Sequence, residues 1–508
     1  MKKNILLLGV LMSCFASTAF AKQLTTYVTE WGGYGASGYP SYPFDGSHPS
    51  QYGDTTVVRN ADMVQKVKQS DVVAYAFLQV WNPNSAQAKQ FNVPADWAGQ
   101  LHFDDLWANL PGWSAKEGPA WKTFCSAVGH GSCAAVQQDC SSGACHPALL
   151  RYQDINVGQM NNFGAFVNLD DNNGKTAKIL AIGGANTAAN QSVSTDSFQA
   201  IFANEDIFLA SLSNWMSNLS NMSSSTTFGV DYDFEPPTDA NGAQKSPDMS
   251  TLTDYASLYQ LVKNTRQKLD SLGKHYYISV TITCNEGYLD YINRSVDGGW
   301  FKQIAPYVDH VNIMTYDMHG PWDLSGDPGA VSHIMLKNPT FMQNTYAINY
   351  GLEDVVNKVV NDYGMPVDKL QAGIAAYGRG FAGVAAGANA NYPGFDQSWS
   401  GPSNFDVQYS NNQVGLLPYK FVNTLLSQGY KNYNIDEGDG VIASYIYNPQ
   451  AQQLVGYESP EEVKTFCQYI KKAGLGGAIL WSMDTDASAS GTQGASLIST
   501  YKDNCGAV

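Results

Sequence analysis

Eight short stretches rich in β-branched and aromatic residues recur along this chain, and the segments between them have helical character. Strands that alternate with helices usually pair in parallel within one sheet. Eight such units are the number needed to close a TIM (β/α)8 barrel. The sequence therefore predicts an α/β barrel with strands at residues 24–31, 71–81, 177–184, 226–234, 276–283, 310–316, 370–377 and 477–481.

Two intervals between predicted strands are too long to be simple connections. The first, about 82 to 176, contains a cluster of cysteines and predicts a long loop insertion after the second strand. The second, 382–445, is rich in Gly, Asn, Ser and Tyr, and we expect a small inserted α+β subdomain there. The barrel would then comprise residues 22–381 and 446–508. Because barrel function lies in loops at the C-terminal ends of strands, both insertions are expected to shape a groove.

The N-terminal sequence has the pattern of a secretory signal peptide. Two lysines precede an apolar run at residues 5–12, and a small-residue cleavage triplet follows at 19–21. We expect cleavage after Ala21 and a secreted bacterial protein, extracellular or periplasmic, with no membrane association afterwards. Lipoprotein processing at Cys14 is the alternative, which Met12 disfavours.

The composition restricts the partners of the protein. Its 44% hydrophobic and 12% aromatic content is that of a globular chain with a large core. A formal net charge of −16 repels phosphate backbones, so nucleic acid is not expected as a partner. We attribute the acidity to solubility and expect a monomer.

Cysteine spacing predicts disulfides rather than a metal site. Paired C-x2-C knuckles are absent from the cluster, and exported chains favour disulfides, so we expect two bridges among Cys125, Cys133, Cys140 and Cys145. Cys467 and Cys505 are candidates for a third bridge near the C-terminus. Cys284, in the apolar run YYISVTITC, is then expected to be a buried thiol.

The segment FGVDYDFEPP, residues 228–237, carries three carboxylates at every second position. Alternate residues of a strand point the same way, so Asp231, Asp233 and Glu235 form a row, with Glu235 nearest the mouth of the barrel. Buried carboxylates are costly unless they share protons, accept hydrogen bonds or meet a ligand. A solvated edge strand, a calcium loop and chance alternation are the alternatives, but the pattern favours a catalytic row.

Further motifs occur at the other predicted strands. The chain has AIGG at 181–184, MTYD at 314–317, YGRGF at 377–381, GGAILWSMDTD at 476–486 and the opening YVTEWGGYG at 27–35. AIGG resembles the S-x-G-G motif of the glycoside hydrolase family 18 chitinases, MTYD their M-x-Y-D motif and YGRGF their Y-G-R-x-F motif. GGAILWSMDTD and YVTEWGGYG resemble the last and first strands of that family. FGVDYDFE resembles its fourth-strand motif, D-G-x-D-x-D-x-E. The resemblance covers nearly the whole mature chain, in the order of the family.

The resemblance implies hydrolysis of β-1,4 links between N-acetylglucosamine units in chitin or its oligosaccharides, with retention through substrate-assisted catalysis. Glu235 would act as general acid and then base. Asp233 would hydrogen-bond the acetamido N–H, and Asp231 would exchange a proton with Asp233. Tyr316 would donate its hydroxyl to the acetamido oxygen.

The resemblance also implies a set of substrate-binding residues, without a metal or cofactor. These are Asp317, Met314, Trp481, Arg379, Tyr377, Trp322 and Trp31. Trp481 would form the apolar floor under the cleaved sugar, whereas ordinary core packing is the alternative role for each tryptophan.

Two positions depart from the family motifs. Phe228 replaces the leading Asp of the fourth-strand motif, and Ala181 replaces the Ser of the third-strand motif. We expect both in the deep layer of the barrel, where they would form one compensated apolar repacking. Three other functions remain compatible with the sequence: an endo-β-N-acetylglucosaminidase, a catalytically weak chitin-binding lectin, and a host-surface adhesin on the same fold.

Overall fold

The structure is a computed structural model, which describes residues 21–30, 61–85, 95–103, 162–167, 172–185, 193–239, 244–323, 329–342, 351–405, 415–491 and 494–506. The predicted signal peptide up to residue 20, Trp31 and the cluster of four cysteines lie outside the described residues. Within the interval 82–176, the described residues are 82–85, 95–103, 162–167 and 172–176.

The strands of the described residues fall into two sheets. Their bounds are β1 (Gln23–Thr29), β2 (Val72–Val80), β3 (Leu101–Phe103), β4 (Ala177–Gly183), β5 (Phe228–Asp233), β6 (Tyr277–Thr283), β7 (His310–Met314), β8 (Leu370–Ala375), β9 (Tyr377–Ala382), β10 (Gly401–Pro402), β11 (Leu416–Pro418), β12 (Lys431–Asp436), β13 (Val441–Asn448), β14 (Gln453–Tyr457) and β15 (Gly477–Trp481).

The α-helices of the described residues connect and cover these strands. They are α1 (Ala61–Gln69), α2 (Asn162–Val167), α3 (Val193–Ala203), α4 (Glu205–Met222), α5 (Met249–Asp270), α6 (Glu286–Arg294), α7 (Trp300–Ile304), α8 (Leu352–Asn357), α9 (Val422–Ser427), α10 (Pro460–Ala473) and α11 (Leu497–Cys505).

Eight parallel strands close into a barrel. The order is β1, β2, β4, β5, β6, β7, β8 and β15, and β1 pairs with both β2 and β15. The short strand β3 adds to β2 in the antiparallel direction. All eight predicted barrel strands are present, so the predicted TIM barrel is confirmed.

The barrel strands are apolar because both of their faces are buried. On β2, all nine residues are buried. Ala74 and Ala76 belong to the cluster inside the barrel. Tyr75 points the other way, and its ring centroid lies 5.2 Å from that of Phe163 and 5.0 Å from that of Phe166 on α2. Inward positions therefore line the barrel, and outward positions form the main core with the helices.

The second sheet is antiparallel and follows the seventh barrel strand directly. Only Ala376 separates β8 from β9, and the strand order is β10, β9, β14, β13, β12, with β11 also on β9. This sheet extends from Tyr377 to Tyr457, whereas the expected inserted segment was 382–445. The YGRGF motif therefore lies on β9, in the second sheet and not in the barrel.

Capping residues set the ends of two helices. Ser459 accepts the backbone N–H of Glu462 at 3.1 Å, and α10 ends at Gly474, whose φ of +83° suits a residue without a side chain. Helix α5 begins at Met249, directly after Asp248, which accepts the N–H groups of Ser250 and Thr251. No α-helix among the described residues is both long and apolar enough to cross a membrane.

The predicted C-terminal disulfide is confirmed. Cys467 on α10 and Cys505 on α11 are bonded, with their Cα atoms 5.3 Å apart. Cys284 is a buried thiol, as expected, and its Sγ lies 3.8 Å from the carbonyl oxygen of Tyr316.

Candidate active site

The carboxylate row lies at the C-terminal end of β5. Asp231 and Asp233 are buried at 0% and 3% exposure, whereas Glu235, just past the strand, is partly exposed. Phe234 points away from the row, and its ring centroid lies 4.6 Å from that of Phe198 and 5.0 Å from that of Tyr255. Packing of Phe234 among the helices thus leaves Glu235 at the end of the row that solvent can reach.

Asp231 is enclosed by hydroxyl donors from other strands. Tyr27 Oη donates to Oδ2 at 2.7 Å, and Ser279 Oγ donates to Oδ1 at 2.7 Å. Thr281 Oγ1 lies 3.0 Å from both carboxylate oxygens. Burial raises the pKa of Asp231, and these hydrogen bonds only partly oppose that effect. At the inner end of the row, both carboxylate oxygens of Asp231 therefore accept hydrogen bonds.

Asp233 differs from Asp231 in the hydrogen bonding of its carboxylate. Among the described residues, its buried Oδ1 has no hydrogen-bond partner. Burial, followed by the charges of Glu235 and Asp231, raises its pKa well above the usual range. Because a buried acceptor without a donor is costly, this oxygen is ready to accept a hydrogen bond from a ligand.

Glu235 has the pKa of a general acid near neutral pH. Burial and the charge of Asp317 raise its pKa to about 7. It can therefore hold its proton at the pH where Asp317 is ionised. In the described ranges, no three His, Cys, Asp or Glu side chains converge as ligands for a metal ion.

Asp317 is held in its ionised form by two partners on β9. Arg379 donates from Nε to Oδ1 and from Nη2 to Oδ2, each at 2.8 Å, and Tyr377 Oη donates to Oδ2 at 2.8 Å. Burial opposes ionisation, but Arg379 and a contact from buried His333 lower the pKa of Asp317 far below its usual range. Asp317 thus supplies a fixed negative charge beside Glu235.

Trp481 lies partly exposed at the end of β15, on two other rings. Its ring stacks on Phe77 with centroids 5.4 Å apart and lies 5.6 Å from Tyr27. A side chain at Gly184 would meet the Phe77 ring at 2.6 Å, and Gly184 has a φ of +92°. The second glycine of AIGG therefore leaves room for the ring that supports Trp481.

Tyr316 stands between the carboxylates and the ring cluster of β8 and β9. Its ring centroid is 6.0 Å from that of Tyr377, and partly exposed Met314 packs on the same cluster. A Cβ on Gly373 would lie 2.7 Å from the Tyr316 ring, so this close approach requires glycine. Burial and the charge of Asp233 raise the pKa of Tyr316, which keeps its hydroxyl protonated as a donor.

Trp322 lies at the rim of the site with 39% of its side chain exposed. The Arg379 guanidinium lies 5.0 Å from its ring centroid and 5.1 Å from that of Tyr377. The structure thus brings together all the predicted site residues except Trp31, which lies outside the described residues.

The expected joint repacking of Phe228 and Ala181 is wrong. Ala181 lies inside the barrel, whereas Phe228 belongs to the core between barrel and helices. Phe228 pairs across the sheet with Lys178, whose Nζ reaches the Val167 carbonyl on α2 at 2.8 Å. Phe228 and Asp231 are three positions apart, and an odd spacing on a strand reverses the face. Phe228 therefore does not extend the carboxylate row.

The residues that surround the row were not predicted from the sequence. Tyr27, Ser279, Thr281 and Phe77 were not singled out, although the first three contact Asp231 and the last supports Trp481. A signal for part of this set is present in β6, where Ser279, Thr281 and Thr283 place hydroxyls on alternate positions of an otherwise apolar strand.

The fold and the site together define a class of protein. A TIM barrel with a carboxylate row at its C-terminal mouth, beside a partly exposed aromatic side chain, is typical of glycoside hydrolases. The chain belongs to the glycosyl hydrolases family 18, whose family model matches residues 23–486. The resemblance found in the motifs is therefore confirmed.

Similar proteins carry chitinase names. The chain is 29% identical to Chitinase A1 of Niallia circulans over 273 residues, which is 51% of this chain and 34% of that relative. It is 28% identical to Chitinase 1 of Aphanocladium album over 285 residues, or 55% of this chain and 56% of the relative. The matches thus span only about a third to just over half of the relatives' lengths.

One solved structure shows the likeness of the fold across most of the chain. The chitinase ChiA74 from Bacillus thuringiensis superposes with a TM-score of 0.62 at 21% identity, covering 96% of this chain and 70% of that one.

Proposed function

We propose that this chain is a chitinase that hydrolyses β-1,4-N-acetylglucosamine linkages in chitin or its oligosaccharides, with retention of configuration. The observation that carries the proposal is the row of Asp231, Asp233 and Glu235, in which only Glu235 reaches solvent and has a pKa of about 7. The chitinase names of the similar proteins support the choice of substrate.

In the first step, Glu235 gives its proton to the leaving glycosidic oxygen. The acetamido oxygen of the substrate forms a bond to the anomeric carbon, and the electron pair of the broken C–O bond leaves with the departing sugar. The product on the enzyme is an oxazolinium ion, so no protein group becomes covalently attached.

In the second step, water attacks the anomeric carbon from the face that the leaving group vacated. Glu235, now a carboxylate, takes the proton of that water, and the electron pair of the C–O bond returns to the acetamido oxygen. Two displacements at one carbon restore the β configuration.

Asp233 and Asp231 together stabilise the positive charge that develops on the acetamido group. The Asp233 oxygen without a partner among the described residues accepts the acetamido N–H, whose nitrogen becomes positive in the oxazolinium ion. Asp233 stabilises that charge best when ionised, so its proton passes to Asp231. Because Asp231 and Asp233 interact strongly, they titrate as one coupled unit.

The remaining residues hold the sugar. Tyr316 donates its hydroxyl to the acetamido oxygen and orients it for attack, and Trp481 provides the apolar surface under the pyranose ring. Asp317 binds a sugar hydroxyl while Arg379 and Tyr377 fix its carboxylate. Met314 and Trp322 border the neighbouring sugars.

The proposal is tested with purified protein and the N-acetylglucosamine hexamer, with new chain ends followed by proton NMR. We expect β-anomer first from the wild type and almost none from Glu235→Gln, since general acid–base catalysis contributes about 10²–10⁴-fold. Glu461→Gln, which alters an exposed carboxyl group on α10, is the matched control and should retain full activity. Initial α-anomer would contradict retention. Binding of the hexamer by wild type without cleavage would instead indicate a lectin.

A further inference from the structure

Two neighbouring segments tie the backbone at the end of β5. The N–H of Gly184 donates to the carbonyl of Asp233, and the N–H of Phe234 donates to the carbonyl of Thr281, each at 3.1 Å. These bonds fix Asp233 and Phe234 against β4 and β6. Glu235 is the next residue, beyond the last paired position of the strand, so its direction depends on other contacts.

Ser194, the second residue of α3, provides such a contact. Its side chain is fully buried, and its Oγ donates to the carbonyl of Asp233 at 3.2 Å. The same Oγ accepts the backbone N–H of Glu235 at 3.4 Å. One hydroxyl therefore bridges the peptide groups on both sides of Phe234 and closes the turn that carries Glu235.

The start of α3 is itself anchored to the barrel. One turn after Ser194, the Oγ of Ser197 accepts the N–H of Val80 at 3.2 Å and donates to Gln79 Oε1 at 2.6 Å. The side-chain amide of Gln79 then donates to the carbonyl of Gly183 at 2.7 Å. Ser194 therefore holds Glu235 from a helix that is fixed to the ends of β2 and β4.

We propose that Ser194 is a positioning residue that aims the Glu235 carboxyl group into the groove. Alanine at this position would remove two hydrogen bonds: the one that the Glu235 N–H donates to the Ser194 hydroxyl and the one that this hydroxyl donates to the Asp233 carbonyl. The Glu235 backbone would then lose a contact that fixes its direction. This inference rests on the proposed role of Glu235 as general acid.

Loss of positioning has a kinetic signature that loss of stability lacks. Substrate contacts to Trp481 and Asp317 do not involve Ser194, so KM should change little. A displaced acid lowers kcat, and displacement by about 1 Å can cost on the order of 100-fold. A more solvated Glu235 also has a lower pKa, so the basic limb of the pH profile of kcat/KM should move to lower pH.

The test compares Ser194→Ala with two other serine substitutions. Ser197→Ala weakens the anchoring of α3 but leaves the Ser194 bridge, and Ser213→Ala removes a buried hydroxyl of α4 that has no partner among the described residues. We expect kcat to fall about 10- to 100-fold in Ser194→Ala at unchanged KM, with the basic limb displaced. Ser197→Ala should lose less kcat than Ser194→Ala because the Ser194 bridge remains, and Ser213→Ala should keep the wild-type kcat and pH profile.

Three outcomes would overturn the inference: wild-type kinetics in Ser194→Ala, an equal kcat loss with the same pH profile in Ser197→Ala, or a rise in KM alone. If Ser194→Ala does not fold, Ser194→Thr decides the question. This variant retains the hydroxyl, and a folded Thr variant should keep most of the wild-type kcat, whereas its loss would contradict the role. An inactive wild type would refute the proposed function instead.

Discussion

Arg379 donates hydrogen bonds to both carboxylate oxygens of Asp317, with Nε 2.8 Å from Oδ1 and Nη2 2.8 Å from Oδ2. The two residues come from different sheets: Asp317 follows barrel strand β7, and Arg379 lies on β9. Their pairing keeps Asp317 ionised, and the resulting charge contributes to the raised pKa of Glu235. An ion pair beside the carboxylate row thus helps Glu235 to retain its proton.

The first prediction concerns that charge. A general acid works only while protonated, so activity should be lost as pH rises through the Glu235 pKa of about 7. Asp317→Asn removes the neighbouring charge, and the basic limb of kcat/KM should shift down by about one pH unit. Asp270→Asn, at an exposed site on α5, is the control. An unchanged basic limb in Asp317→Asn would show that burial alone sets this pKa.

The second prediction concerns the aromatic floor. In the Glu235→Gln background, Trp481→Ala should weaken hexamer binding by about tenfold in Kd, because the sugar loses its apolar surface. Trp481→Phe keeps a ring above Phe77 and should lose less. Isothermal titration calorimetry measures both variants. Equal affinity of the alanine variant and its parent would mean that Trp481 is only a packing residue.

The third prediction follows from the outward direction of Phe228. Phe228→Asp places a carboxyl group in the apolar layer between barrel and helices, next to Lys178, whose ammonium already donates to the Val167 carbonyl. We expect loss of folding or a fall in unfolding free energy of about 3–5 kcal/mol, as for removal of a buried Phe, or more. Phe228→Leu should retain kcat and cost about 1 kcal/mol. Thermal unfolding and hexamer hydrolysis test both, and a stable Asp variant with raised activity would contradict the assignment.

The fourth prediction concerns Glu458, which is fully buried where the second sheet meets the barrel. One carboxyl oxygen accepts the N–H of Ala375 at 3.0 Å, and burial raises its pKa to about 8. The folded state therefore binds this proton more tightly than the unfolded state. The stabilisation is present below about pH 4.5 and is lost as pH rises through about 8.

Glu458→Gln keeps an acceptor oxygen but cannot ionise, so its melting temperature should exceed that of wild type by a few degrees at pH 9 and not at pH 4. Glu461→Gln, on the exposed side of α10, should show no such difference. A gain of equal size at both pH values would contradict the assigned titration. Differential scanning calorimetry gives the melting temperature of each protein at both pH values.

Features that depend on a single short segment could be predicted from the sequence. Each barrel strand was predicted from its own β-rich run, and the row of Asp231, Asp233 and Glu235 was predicted from period-two alternation in one segment. Contacts between distant segments were not predictable. Tyr27, for example, lies 204 positions from the Asp231 it contacts. The mistake at Phe228 was of another kind, since the same alternation rule already placed that residue on the opposite face.

The rings around Trp481 join the first and last strands of the barrel. Tyr27 comes from β1, Phe77 from β2 and Trp481 from β15, and β1 pairs with both of the others. During synthesis, these rings can come together only after the eighth barrel strand, which carries Trp481, has been made. A growing polypeptide that already contains the complete carboxylate row therefore still lacks this aromatic surface. Any activity that needs both features must wait for the last strand of the barrel.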